Sequence, residues 1–439
     1  MRVNGKNNNL SPEVQKDAAN SCGNAPPPGL FEFLTELGKA LTSAGVSVVA
    51  ITSILERIAV AYGVQSEILL SPTFLIIKLG SHESAPIAVT VANQSQALLQ
   101  LNKVSELYGL IYQAECKNIS PIDGTKRIKQ ILAQKHRFGS VGIFVGYILF
   151  AIGLGLLLYP TPQQLVVSGV FGGVVGVLLI LSQNRPRFSL ILPVFAAFLV
   201  SALLSLGIKQ GLITGSFILV IPALAYFLPG ATLTTGMFEL ATGNMVSGAS
   251  RAIYGVAILF LLLFGIVVGN QLVGTTEQGF LTIKPLNTLG LWAPYLGVLI
   301  FGIGVYLFMC VRERDMPWVL LNLYVALIGQ QLGSVIVGSY FGGFLGSLLM
   351  TVSGTYIGRS PRRTPDFVSI LPAFWILVPG SLGFISLVTL IGRSYYTAVT
   401  NAILVVMTLV AISLGLLVGA AVVEPFKSAK DETEIEQNK

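Results

Sequence analysis

The chain has two regimes of hydrophobic patterning, which meet near residue 138. Upstream, apolar residues recur at helical or strand spacing among polar ones, whereas from Gly139 onward they form long runs. A helix needs about 20 apolar residues to cross a bilayer. The runs predict ten membrane spans, at residues 139–158, 164–182, 189–208, 216–241, 251–270, 289–310, 317–336, 339–358, 367–391 and 398–421.

The upstream region is predicted to be a small soluble α/β domain. Helical periodicity at residues 31–41 and 48–58 is followed by three short apolar runs that predict strands and by two further helices, at 94–113 and 120–135. Ser120 before Pro121 is a favourable helix start. The predicted domains are a disordered tail (1–30), the soluble cytoplasmic domain (31–137), two five-helix membrane repeats (138–271 and 288–421) and a charged tail (422–439).

Composition supports a membrane location. Of the 439 residues, 53% are hydrophobic and 11% are charged, whereas soluble chains carry about 25% charged residues. Two His and three Cys are too few for a zinc cluster or a disulfide framework, so no metal or other cofactor is expected. The net charge of +7 is attributed to basic loops and not to nucleic-acid binding.

Basic residues are concentrated in alternate loops. Lys and Arg cluster before the first span and after spans two, six, eight and ten, whereas the opposite loops carry only Lys209, Lys284 and Arg393. Basic loops of membrane proteins stay in the cytoplasm. With ten crossings, the pattern predicts a multi-pass protein of the cytoplasmic membrane with both termini in the cytoplasm.

A proline–glycine motif occurs in two spans, 150 residues apart. Residues 221–230 read IPALAYFLPG and residues 371–380 read LPAFWILVPG. Proline removes a backbone donor, so each segment is expected to bend or break. Because each half has five spans, the halves are predicted to form an inverted repeat with the substrate site near the two breaks. The alternative is that the prolines only kink helices for packing.

A second alignment competes with the offset of 150. Phe171-Gly172-Gly173 resembles Phe341-Gly342-Gly343 at an offset of 170, which would pair span two with span eight. The Pro-Gly match is preferred because four identities keep one spacing, whereas Gly-rich packing motifs recur in membrane helices by chance.

Polar residues follow the first break more densely than the second. Glu239 is interpreted either as a group that handles a proton or the substrate ammonium, with Arg251 holding a carboxylate, or as the partner of Arg251 in a structural ion pair. Asn322 and Gln330-Gln331 either line a pathway or bond a neighbouring helix. The candidate substrate-binding residues are Pro229, Gly230, Thr232, Thr235, Glu239, Asn244, Arg251, Pro379, Gly380 and Ser381.

These motifs carry a family resemblance that extends over residues 31–421. The stretches LGKALTSAG (37–45), SPT (71–73), ELATGN (239–244), SGASR (247–251) and ILVPGS (376–381) resemble the threonine/serine exporter family. The resemblance implies a cytoplasmic domain joined to ten membrane helices. It also implies efflux of small polar amino acids, driven as antiport by the proton-motive force. The soluble domain has no catalytic signature, so the chain is not expected to be an enzyme.

Several alternatives stay open at this point. Two-subunit relatives are associated with dicarboxylate export, which makes a succinate-like substrate the first alternative. A membrane-anchored sensor or enzyme and a channel are the others. The expected partners are a small solute, protons and lipid, with no nucleic acid, and a homo-oligomer is left open.

Overall fold

The computed structural model describes residues 26–80, 87–91, 100–158, 161–183, 185–213, 219–274, 289–359, 364–377 and 403–423. The predictions for Pro379, Gly380 and Ser381, and those for most of the two tails, lie outside these ranges. The chain divides into two compact units, one of residues 1–95 with 106–134 and one of residues 96–105 with 135–439.

The smaller unit combines helices with a three-stranded sheet. Helices α1 (Leu30–Ser43) and α2 (Val48–Ala61) are followed by strands β1 (Ser66–Leu70), β2 (Phe74–Leu79) and β3 (Ile87–Val91), then by helices α3 (Leu101–Glu115) and α4 (Pro121–Ala133). The first turn of α3, residues 101–105, belongs to the larger unit. The sheet is antiparallel in the order β1-β2-β3. The predicted small α/β arrangement is therefore present in this unit.

Apolar periodicity explains the core of this unit. Leu34, Leu37 and Leu41 lie on one face of α1 and are buried with Leu75 and Ile77 of β2. Alternate residues of β2 point to opposite faces of the sheet, so only one face joins this core.

Local capping defines the start of α4. The Ser120 Oγ accepts a hydrogen bond from the Asp123 N–H at 3.2 Å, and Pro121 occupies the first helical turn. The predicted N-cap is confirmed.

The larger unit has a helix in each of the ten predicted segments. These helices are α5 (Gly139–Leu157), α6 (Pro162–Ser182), α7 (Pro186–Lys209), α8 (Val220–Leu224) with a 3₁₀ turn (Ala225–Phe227), α9 (Gly230–Ala241), α10 (Met245–Val273), α11 (Ala293–Phe308), α12 (Met316–Ile336), α13 (Ser339–Gly358), α14 (Asp366–Leu377) and α15 (Ile403–Val423).

Among the helices that the structure describes, six are long and apolar enough to cross a membrane. The bent pair of α8 and α9 gives a seventh span if it counts as one, and α11 and α14 are shorter apolar helices. The described residues therefore form a mostly helical protein with six or seven candidate membrane spans. The count of ten stays a prediction.

Helices α5 and α11 cross at glycines. A Cβ on Gly153 would lie less than 3.0 Å from the Phe301 backbone, and a Cβ on Gly304 would lie equally close to the Phe150 backbone. The rings of Phe150 and Phe301 meet at the crossing, with centroids 5.0 Å apart. Small residues thus let the two backbones approach closely.

Contacts farther from the crossing show the relative direction of the two helices. Gly146 of α5 packs against Phe308 at the end of α11, and Gly297 near the start of α11 packs against Leu156 at the end of α5. The two helices are therefore antiparallel.

Two other helix pairs share one contact pattern. Gly265 and Gly269 of α10 pack against the backbone of α7, and Gly415 and Gly419 of α15 pack against the backbone of α13. The residues that they contact are Val194 and Phe198 in α7, and Phe344 and Leu348 in α13. Each residue of the second pair lies 150 positions after its counterpart in the first.

The crossing of α5 and α11 gives a stability prediction. We expect Gly153→Ala to destabilise the protein by about 1–3 kcal/mol, because its methyl group would meet main-chain atoms that cannot rotate away. Thermal unfolding in detergent measures the change. Gly173→Ala is the matched control, because its Cβ would lie 3.6 Å from the nearest side-chain atom. Equal unfolding temperatures for the two variants would contradict the prediction.

Candidate functional site

The first Pro-Gly motif breaks its helix, as predicted. The 3₁₀ turn ends at Phe227, α9 begins at Gly230, and the segments on either side differ in direction by 51°. Pro229 has no N–H, so it cannot bond the Ala225 carbonyl as a helix would require. That carbonyl accepts hydrogen bonds from the Leu228 N–H at 3.2 Å and from the indole N–H of Trp375 at 3.1 Å.

Aromatic side chains surround the break. The Tyr147 hydroxyl of α5 donates to the Ala223 carbonyl at 2.7 Å. The ring centroids of Tyr147, Tyr226 and Phe308 lie 5.1–6.4 Å apart. Tyr147 is fully buried, whereas Tyr226 is half-buried. Aromatic donors from α5 and α14 thus bind carbonyls at the break.

A tight turn brings α9 and α10 together. Gly243 has a φ of +85°, which favours glycine. The N–H of Asn244 donates to the Glu239 carbonyl at 2.8 Å. Beyond the turn, Gly236 and Gly248 face each other, and a Cβ on either would lie within 3.0 Å of the other's carbonyl oxygen. The last turns of α9 therefore lie beside the first turns of α10.

This hairpin encloses a carboxylate. Glu239 is fully buried, and its Oε2 accepts a hydrogen bond from the Ser247 Oγ at 2.6 Å. The Nε of Arg251 lies 3.1 Å from the same oxygen, and the Arg251 side chain is 10% exposed. A buried carboxylate is tolerated only when it is paired and hydrogen-bonded. The ion pair considered from the sequence is therefore present.

The predicted site residues occupy two places along α9. Pro229 and Gly230 are buried at the break, and Thr232 and Thr235 are half-buried in the turns that follow. Glu239 comes near the end of α9, about 14 Å along the helix axis from Gly230. The break and the ion pair are therefore separate places, joined by one short helix.

The glutamines of α12 bond neighbouring helices. The Gln330 Nε2 donates to the Leu377 carbonyl of α14 at 3.4 Å, and the Gln331 Oε1 accepts from the Tyr295 hydroxyl of α11 at 2.9 Å. The helix-bonding interpretation is confirmed for both residues.

Sequence reasoning overlooked a second buried carboxylate, Asp315. It lies directly before α12, and it accepts hydrogen bonds from the Ser105 Oγ at 2.8 Å and the Thr364 Oγ1 at 3.0 Å. The Nε of Arg314 lies 3.5 Å away. In the sequence Asp315 follows Arg-Glu-Arg and looks like part of a solvated loop, so no local signal identifies it.

The first turn of α3 contacts the same loop. The N–H groups of Leu101 and Asn102 donate to the carbonyls of Met309 and Cys310 at 2.8 and 3.1 Å. Free amides at a helix start thus pair with carbonyls that follow α11. Lys103 in this turn is buried, and burial lowers the pKa of its ammonium group.

Long apolar helices, a broken helix and a buried ion pair define a polytopic helical membrane protein. Residues 32–273 match the family described as "Putative threonine/serine exporter". Because the match covers more than half of the chain, the chain belongs to this threonine/serine exporter family. The resemblance drawn from the motifs is confirmed.

The curated relatives reported for this chain are fungal proteins. The chain is 23% identical over 88% of its length to pheromone-regulated membrane protein 10 of Candida glabrata and 22% identical over 90% to that of Eremothecium gossypii. It is 22% identical over 69% to an uncharacterized protein of Schizosaccharomyces pombe. The alignments cover 51%, 56% and 37% of those relatives, so the chain spans only part of their length. No solved structure matches the chain.

The buried ion pair predicts that removing its cation alone destabilises the protein more than removing both charges. Arg251→Met should destabilise the protein by about 3–5 kcal/mol, because it leaves the Glu239 carboxylate buried without its cation. The double variant Glu239→Gln/Arg251→Met should recover most of this loss. Thermal unfolding provides the measurement, and Arg137→Met, whose partner Glu313 is exposed, is the control expected to change little. An Arg251→Met variant as stable as Arg137→Met would show that the pair is not needed for folding.

Proposed function

We propose that this protein is a secondary-active exporter of small polar amino acids, threonine and serine, driven by protons across the cytoplasmic membrane. The observation that carries the proposal is the carboxylate of Glu239, fully buried between α9 and α10 within the stretch matched to the exporter family. Ionisable groups among apolar helices usually serve ion or substrate movement, because their burial is otherwise unfavourable.

The partners of Glu239 support a role as proton carrier. When ionised, it has the Arg251 guanidinium and the Ser247 hydroxyl as partners. When protonated, it releases Arg251 to bind another carboxylate. We infer that proton binding to Glu239 and substrate binding to Arg251 are coupled through this exchange of partners.

The same exchange favours an amino acid over a dicarboxylate. A dicarboxylate brings two negative charges to a site where the Arg251 guanidinium already faces Glu239. A zwitterion brings one carboxylate for Arg251 and an ammonium group for Glu239 or for carbonyls at the break. The half-buried Tyr226 and Trp375 add aromatic faces, which attract cations.

We further propose that the membrane domain is an inverted repeat of two five-helix halves. The offset of 150 residues, seen first in the Pro-Gly motif, recurs in the contacts of α7 with α10 and of α13 with α15. The antiparallel crossing of α5 and α11 supports opposite orientations for the halves. Each helix contributes two glycines seven residues apart, Gly146 and Gly153 in α5 and Gly297 and Gly304 in α11, and these correspond at an offset of 151. Contacts at an offset of 170 do not correspond: Gly172 packs against Ala151, whereas Gly342 packs against Ser334.

The proposed repeat suggests where the substrate path lies. Trp375 lies 150 positions after Ala225, and the two residues are hydrogen-bonded. In a two-fold arrangement, equivalent positions meet near the axis. We therefore propose that the two motifs approach each other there and that substrate passes between them, with Pro379, Gly380 and Ser381 contributing from the second half. Ten crossings and cytoplasmic termini complete the proposal.

Efflux measurements test the substrate. Cells loaded with a threonine- or serine-containing dipeptide should export the free amino acid faster with the protein than without it. Loading with succinate tests the dicarboxylate alternative in the same cells. Equal threonine and serine efflux with and without the protein would exclude the amino-acid exporter. A response of flux to an imposed proton gradient, together with saturation, separates the exporter from a channel.

Proton coupling predicts a specific effect of Glu239→Gln. The amide oxygen can still accept from Ser247, but the side chain no longer binds and releases a proton, so export should lose its response to a proton gradient. Glu313→Gln, which removes an exposed carboxylate, is the matched control and should export normally. Export by Glu239→Gln that follows the proton gradient as in the wild type would rule out coupling through this residue.

A further inference from the structure

A buried amide in the second half lacks a hydrogen-bond partner. Asn322 of α12 is fully buried, and its Oδ1 accepts a hydrogen bond from the Ser353 Oγ of α13. Its Nδ2 is also buried and has no hydrogen-bond partner among the residues that the structure describes. The orientation of the amide follows from its contact with Ser353, and in this orientation the unpaired atom is the N–H donor.

The surroundings make an unpaired amide costly. The hydrocarbon region of a bilayer holds no water that could bond the group. A buried polar group without a partner therefore loses the free energy of its hydration, and no hydrogen bond compensates for that loss. A second Asn–Ser pair offers a comparison, since the Ser205 Oγ of α7 donates to the Asn270 Oδ1 of α10 at 2.8 Å. Asn270 is half-buried, whereas Asn322 is fully buried, so of these two pairs the one with Asn322 holds its amide away from solvent.

The position of Asn322 connects it with the second Pro-Gly motif. Asn322 bonds α13, and Gln330, two helical turns later on α12, bonds α14. Gln330 bonds the carbonyl of Leu377, two residues before Pro379. The unpaired amide thus lies about 12 Å along α12 from the segment that leads into this motif.

We propose that the amide of Asn322 is a substrate contact in the second half of the membrane domain. Its N–H donates to an acceptor oxygen of the transported solute, a carboxylate or hydroxyl oxygen, and Ser353 holds the amide in the required orientation. A neutral donor suits this role because it recognises an oxygen without burying a second charge. The proposal rests on the proposed function, and it gives the second half an amide donor in addition to Ser381.

Cysteine labelling tests this contact without requiring transport. Asn322→Cys in purified, monodisperse protein is treated with 2-aminoethyl methanethiosulfonate, and mass spectrometry locates the label, so the native cysteines need no replacement. We expect labelling of residue 322 that threonine or serine slows. Ala326→Cys, one turn later on α12 and as fully buried as Asn322, is the matched control and should stay unlabelled, because the proposal places the solute at residue 322. No labelling at 322, or labelling that threonine, serine and succinate all leave unchanged, would overturn the proposal.

Asn322→Asp provides a second test. The variant keeps an acceptor for Ser353 and the side-chain volume but replaces the donor with an anionic oxygen. We expect the KM for efflux to rise about tenfold, the ratio expected for one hydrogen bond to a charged group, with less effect on maximal rate. Asn270→Asp is the control and should keep the wild-type KM. A purely structural Asn322 would lower the amount of folded protein and leave KM unchanged, which would overturn the proposal. Absence of wild-type efflux would instead count against the proposed function.

Discussion

The absence of water inside a bilayer is the constraint on which this membrane domain depends. Each polar group in the hydrocarbon region must find its partner within the protein. At the first break, the Leu228 N–H and the Trp375 indole both donate to the Ala225 carbonyl, to which Pro229 cannot donate, and Tyr147 donates to the Ala223 carbonyl. Glu239 obeys the same rule through Ser247 and Arg251. The helix break is stabilised by partners from α5 and α14, which are distant in sequence, and the buried acid by partners from the adjacent α10.

Close backbone contact supplies the framework that holds these partners in place. Glycines at the crossing of α5 and α11, and in the pairs α7–α10 and α13–α15, bring main chains together where any side chain would intervene. Such contacts fix the helix positions closely, because they leave no flexible atoms to absorb a shift. The aromatic groups around the break adjoin this crossing, because the ring centroids of Phe150 and Trp375 lie 5.8 Å apart. Framework and break are thus parts of one packed region.

Features that depend on residues close together in the sequence were predicted, whereas features that depend on distant residues were overlooked. The membrane helices, the break at Pro229 and the N-cap at Ser120 were predicted because hydropathy, a missing N–H and a capping hydroxyl act within a few residues. Glu239 and Arg251 were paired because one turn joins their helices. Asp315 was overlooked because its partners, Ser105 and Thr364, are 210 and 49 residues away. The unpaired amide of Asn322 was equally invisible, since the sequence does not show which polar atoms lack partners.

By itself, the sequence determined the class of the protein, its family motifs, the placement of its helices and the break after residue 228. These features follow from local chemistry: apolar runs partition into lipid, and proline cannot complete a helix. Only the tertiary structure decided that the break and the Glu239–Arg251 pair are separate places, that Asp315 is buried, and that one helix pair repeats the contacts of another 150 residues later. Burial and pairing depend on which helices pack together, and that packing is set by many weak contacts between distant segments.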